Sequence, residues 1–160
     1  DAVRTDIAKE QALEHLASEK AYRLPLDERI RRVQGLFEGL ALLEGGAKQA
    51  VHYTDVTPAF CLLAVTRGGN HIFGHLVGAK QGLPEIKREA LREALLTMQD
   101  EILSPLYVGW TRGYLDEQRE QFEQDLASFT ERPILIRHPR DAYRAFIADL
   151  AKAENASWLN

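Results

Sequence analysis

The amino-acid sequence predicts a single α+β domain in which amphipathic helices alternate with short apolar strands. Three observations support this class. The length of 160 residues suits one domain with a sizeable core. Hydrophobic residues make up 45% of the chain and charged residues 28%, which is ordinary for a globular protein. Apolar side chains recur at helical spacing in several stretches, and shorter apolar runs bounded by glycine or proline have the length of strands.

Two helices are predicted before the first strand. Residues 2–22 carry a weak apolar stripe, and Leu24-Pro25-Leu26 ends this helix because proline cannot continue it. The next helix begins at Asp27 and Glu28, whose charges suit a helix N-terminus, and Gly45-Gly46 is a natural stop. Its apolar face is formed by Ile30, Val33, Phe37 and Leu40.

The middle of the chain predicts a β-hairpin followed by a long helix. Pro58 to Thr66 is apolar and rich in β-favouring residues, Gly68-Gly69-Asn70 marks a turn, and His71 to Val77 is predicted as the second strand. Pro84 is suited to the first position of a helix that keeps its apolar period to Ile102.

The rest of the chain predicts alternating strands and helices. Leu106 to Trp110 is a short apolar strand. Trp110 with Arg112 after this strand could form a stacking platform for a base, but core packing is the preferred role of Trp110. A helix over residues 116–129, a short strand over 133–137 and a last helix from Pro139 follow. Residues 155–160 are predicted to form a loose tail.

The order of elements over residues 27–110 is helix, strand, strand, helix, strand. One strand added in front completes the β-α-β-β-α-β order of the split ferredoxin-like fold, which RNA-recognition (RRM-like) domains share. The chain begins with Asp rather than Met, so we expect a fragment whose palm lacks its first strand. The single domain, residues 1–160, would then consist of a palm core (27–110) and a C-terminal helical extension (111–160).

Composition excludes several classes of protein. No apolar run approaches the roughly 18 residues of a membrane helix, and no secretory signal opens the chain. Cys61 is the only cysteine, which excludes an internal disulfide and a cysteine-based zinc cluster. We therefore expect a cytoplasmic protein that makes no membrane contact.

Charge is distributed unevenly along the chain. The net charge is −4, but residues 45–82 (the central segment) hold one acid, Asp55, against three Lys or Arg and three His. A local positive field can bind an anion whatever the overall charge. The paired glycines Gly45-Gly46 and Gly68-Gly69 allow close backbone approach, and Lys48 and Gln49 supply hydrogen-bond donors. The central segment is therefore the predicted functional surface.

Motifs for nucleotide or metal chemistry are missing from the sequence. There is no P-loop, no G-x-G-x-x-G, no G-x-S-x-G and no H-E-x-x-H. On a strand, His71 and His75 would lie about 13 Å apart, too far for one metal ion. No metal or other cofactor is predicted. His52 with Asp55 as orienter leaves a general base open as an alternative.

Several short motifs, in order, resemble the DevR-type CRISPR-associated autoregulator family. They are Glu44-Gly45-Gly46-Ala47-Lys48-Gln49-Ala50, His52-Tyr53-Thr54-Asp55-Val56-Thr57-Pro58, Gly68-Gly69-Asn70-His71, Tyr107-Val108-Gly109-Trp110 and Gly113-Tyr114-Leu115. Members of this family form the repeated backbone subunit of type I Cascade effectors. The resemblance covers the C-terminal part of a longer protein.

The resemblance implies a non-catalytic, ferredoxin-like palm that self-associates along a CRISPR guide RNA. Its partners would be that RNA, the other Cascade subunits and, indirectly, target DNA. The candidate RNA contacts are Lys48, Gln49, His52, Arg67 and His71. Two alternatives remain open at this point: a metal-independent CRISPR RNA endoribonuclease that uses His52 or His71, and an assembly module that binds only protein.

Overall fold

The computed structural model describes residues 13–16, 21–43, 55–69, 71–129 and 134–159. Within these residues, seven strands and four α-helices are followed by a terminal 3-10 helix. In chain order they are β1 (Glu14–Leu16), β2 (Ala21–Arg23), α1 (Leu26–Ala41), β3 (Phe60–Leu63), β4 (Val77–Lys80), β5 (Leu83–Ile86), α2 (Arg88–Thr97), β6 (Tyr107–Trp110), α3 (Asp116–Phe129), β7 (Ile136–Arg137), α4 (Pro139–Leu150) and the 3-10 helix Ala153–Leu159.

A three-stranded sheet in the order β3-β6-β7 lies at the centre of the fold. Strand β3 pairs antiparallel with β6, so that Phe60 lies opposite Trp110 and Leu63 opposite Tyr107. Strand β7 pairs with β6 in parallel. All four residues of β6 are buried, as expected for a central strand with both faces covered.

One face of this sheet packs against α2 and α3. Trp110 and Phe122 are among the most buried side chains of the described chain, and their rings meet edge to face with centroids 5.4 Å apart. The indole N–H of Trp110 donates to the carbonyl oxygen of Tyr114 at 2.6 Å, which satisfies the one polar atom that its burial would otherwise leave unpaired. Leu91 of α2 and Leu126 of α3 complete this core.

The opposite face packs against α1 and α4. Tyr107 projects from β6 onto Phe146 of α4, with ring centroids 5.5 Å apart, and Phe37 of α1 meets Phe146 at 4.6 Å. Leu150 and Ala142 are buried in the same cluster. The sheet is therefore a middle layer, with one pair of helices packed on each of its faces.

Two small antiparallel hairpins lie outside the central sheet. Strands β1 and β2 form one of them, which an ion pair of 3.1 Å between Arg23 and Glu14 spans. Strands β4 and β5 form the other, with a tight turn at Gln81 and Gly82, both of which have positive φ.

The predicted α+β class is confirmed. Over residues 27–110 the order is helix, strand, strand, strand, helix and strand, one strand more than predicted, because residues 83–86 form β5 and not the start of a helix. Helices α1, α3 and α4 and strand β6 lie where the sequence predicted them. The residues predicted as a C-terminal extension supply β7, α3 and α4, which complete the central sheet and cover its two faces. No helix in the described ranges combines the length and the hydropathy needed to cross a bilayer.

Four predicted elements are wrong. The helix predicted over residues 2–22 is contradicted by the β1–β2 hairpin; residues 1–12 and 17–20 lie outside the described chain. The predicted pairing of 58–66 with 71–77 does not form, because β3 pairs with β6 and residues 72–75 form turns. Pro84 belongs to β5, and the helix begins at Arg88. The predicted tail is a 3-10 helix.

Candidate nucleic-acid interface

The central segment, residues 45–82, is described at 55–69 and 71–82. Arg67 and His71 therefore have defined positions. The other three candidate contacts, Lys48, Gln49 and His52, lie outside the described residues.

Arg67 lies just beyond the C-terminal end of β3, on a backbone that is held at several points. Its N–H donates to the carbonyl oxygen of Glu101 at 2.8 Å, and the preceding residue, Thr66, forms a β-bridge with Ile102. The N–H of Leu103 donates to the carbonyl oxygen of Val65 at 2.8 Å. The Arg67 side chain is exposed and forms no ion pair with another described residue. A fixed backbone with an exposed guanidinium group suits contact with an anion.

His71 is exposed at the start of a turn rather than on a strand. Its carbonyl oxygen accepts a hydrogen bond from the Gly74 N–H at 3.1 Å. Its ring lies over Gly74, where an added β-carbon would come within 3.2 Å of Nδ1. Residues 72–75 form a turn, so the separation of about 13 Å expected for His71 and His75 on a strand does not apply. No cluster of three or more metal-ligating side chains occurs among the residues with defined positions.

Asp55, the one acid of the central segment, is held in a local turn. Its carboxylate accepts a hydrogen bond from the Thr57 N–H at 2.8 Å, and the Thr57 hydroxyl donates to the carbonyl oxygen of Leu43 at 3.2 Å. Hydrogen bonds from Thr57 hold the pKa of Asp55 below its ordinary value. The turn thus ties the start of the β3 region to the C-terminal end of α1.

Described residues of the central segment lie at both ends of β3. Asp55 and Thr57 precede the strand, where the N–H of Thr111 donates to the carbonyl oxygen of Ala59 at 2.8 Å. Arg67 follows it. Four strand residues span about 13 Å, and β3 is an outer strand of the three-stranded sheet. Residues 55–69 of the central segment therefore follow one edge of the sheet.

Arg112 follows β6, and the antiparallel pairing of β6 with β3 brings it near the start of β3. It is exposed, and the sequence did not predict it as part of the site. It follows Thr111, which contacts Ala59, and it shares an open cleft with Asp116 and Glu120. These acids offset its charge, so Arg67 is the stronger anion-binding candidate of the two. Knowledge that β3 pairs with β6 would have placed Arg112 near the site. The sequence predicted a different partner for β3.

Trp110 and Cys61 are both packed in the core clusters of the fold. Trp110 is 1% exposed, which excludes it as a stacking platform. Cys61 lies in β3 against the second core cluster, and burial raises the pKa of its thiol to about 11, although hydrogen bonds with Gly109 and Tyr143 act in the opposite direction. A thiol with so high a pKa is a poor nucleophile at neutral pH.

Comparison with known proteins adds no relative. No protein-family model matches the chain, and no significant match appears among curated proteins or solved structures.

Proposed function

We propose that this protein is a non-catalytic subunit that holds the backbone of a CRISPR guide RNA in a type I surveillance complex. The proposal combines the motif resemblance with the position of Arg67. Copies of the chain would lie side by side along the RNA, together with the other Cascade subunits, and target DNA would contact the assembly through the guide. The place of action would be the cytoplasm.

The observation that carries the proposal is the exposed guanidinium group of Arg67 on an anchored turn at the sheet edge. Arginine donates several hydrogen bonds in a planar fork that matches phosphate oxygens. Gly68, the next residue, has a φ of 83° and adds no side chain that would block a ligand from the turn. Both features suit contact with a phosphate group.

The covered sheet faces affect which mode of RNA binding is possible. RNA-recognition domains stack bases on aromatic side chains of an open sheet face. Here α1 and α4 cover one face and α2 and α3 the other. Contacts from the edge and its loops remain, and such contacts position a nucleic acid without reading its sequence. A guide-binding subunit has to accept any guide sequence, so backbone contacts suit the proposed role.

The net charge of −4 limits the affinity for RNA that one copy should have. A single copy with few cationic RNA contacts should bind RNA weakly, and the affinity of an assembly would come from repeated contacts along one strand. The expected behaviour is therefore cooperative, salt-dependent binding to long single-stranded RNA and weak binding to short oligonucleotides.

The test is a titration of labelled single-stranded RNA across a series of salt concentrations. We expect Arg67→Ala and Lys48→Ala each to weaken binding, and to lower the slope of log affinity against log salt by about 0.7 for each phosphate that is no longer neutralised. Arg31→Ala is the charge-matched control, because Arg31 lies on α1 and pairs with Glu28. Unchanged affinity and slope in both Arg67→Ala and Lys48→Ala would reject the assigned contacts.

The same samples test the endoribonuclease alternative, which the exposed position of His71 keeps open. RNA is incubated with the protein in the presence of a chelator. Intact RNA is the expected result. Cleavage that persists with chelator and disappears in His71→Ala or His52→Ala would replace the proposed role with a catalytic one.

A further inference from the structure

We draw no further inference here: the strongest candidate, the open cleft that Arg112 and the first half of α3 form beyond the end of β6, where Nε of Arg119 is buried without a hydrogen-bond partner in the described chain, holds its two guanidinium groups together with the carboxylates of Asp116, Glu120 and Glu123, and nothing in the structure shows which ligand would occupy it.

Discussion

Gly109 and Pro139 approach so closely that a β-carbon at position 109 would lie 2.5 Å from the Cα of Pro139. The same β-carbon would lie 2.5 Å from Sγ of Cys61. The first neighbour is backbone, at the start of α4, and cannot move alone. Glycine at position 109 is therefore what allows α4 to begin directly against the central strand.

Gly109→Ala should lower the free energy of unfolding by about 1–3 kcal/mol, the usual cost of overpacking a core. Urea denaturation measures it. Gly39→Ala is the matched control, because nothing lies within 4 Å of a β-carbon there and alanine in a helix is favoured over glycine by about 0.5–1 kcal/mol. An equal effect of the two substitutions would contradict the packing argument.

The stability of the protein should fall in acid through Asp149. Burial acts to raise the pKa of this carboxyl, but hydrogen bonds from Lys152 and Tyr107 outweigh it and hold the pKa below its ordinary value of 3.8. The Tyr107 hydroxyl donates to Asp149 at 2.8 Å. A lowered folded-state pKa stabilises the protein above the unfolded pKa, and this contribution is lost as the pH falls through the folded pKa.

Between about pH 5 and the most acid pH at which folding persists, Asp149→Asn should therefore lose less stability than the wild type. Chemical denaturation at a series of pH values measures the difference. Asp141→Asn is a control on the same helix, since the ion pair of Asp141 with Arg144 is longer, at 3.7 Å, and both side chains are more than half exposed. Parallel curves of unfolding free energy against pH for the wild type and Asp149→Asn would show that Asp149 does not contribute to the loss of stability in acid.

Cys61 should be almost unreactive in the folded protein. Burial raises the pKa of its thiol from 9.0 to about 11, so the thiolate fraction at about pH 8 is reduced by about 100-fold. Iodoacetamide should therefore modify the native protein very slowly and the urea-unfolded protein at the ordinary rate. Mass spectrometry measures the rate of alkylation. Fast alkylation of the native protein would show that the strand opens or that the thiol is accessible.

Sequence patterns were sufficient where one helix face or one apolar run decided the element. Phe37 and its apolar neighbours predicted α1, and Pro139 marked the start of α4. The partner of β3 was not predictable in the same way, because the pattern of a buried strand does not identify its neighbour. The helix start predicted at Pro84 was wrong because proline suits the first position of a helix and is also tolerated in an edge strand.

The terminal residues and the candidate site show the same limit. Residues 155–160 have little apolar periodicity, but Trp158 and Leu159 pack on the second core cluster, and Asn155 donates to the carbonyl oxygen of Asp149 at 2.8 Å. Composition identified the central segment as the candidate functional surface. The positions of Arg67 and Arg112 at opposite ends of β3 depend instead on long-range strand pairing. Such pairing is set by tertiary contacts and not by local propensity.

The turn after Arg67 offers a last prediction, in which stability and RNA binding separate. Gly68 has a φ of 83°, in the left-handed region, whereas Gly69 does not, and neither would place a β-carbon within 4 Å of another atom. Gly68→Ala should cost about 1–2 kcal/mol of folding free energy from backbone strain alone, while Gly69→Ala should be close to neutral.

If Arg67 contacts RNA, the strained turn should also displace its guanidinium group. We therefore expect Gly68→Ala to weaken RNA binding and lower its salt dependence, and Gly69→Ala to leave both unchanged. Equal RNA binding by the two variants, with a stability difference confirmed by denaturation, would mean that the geometry of this turn is not part of the RNA contact.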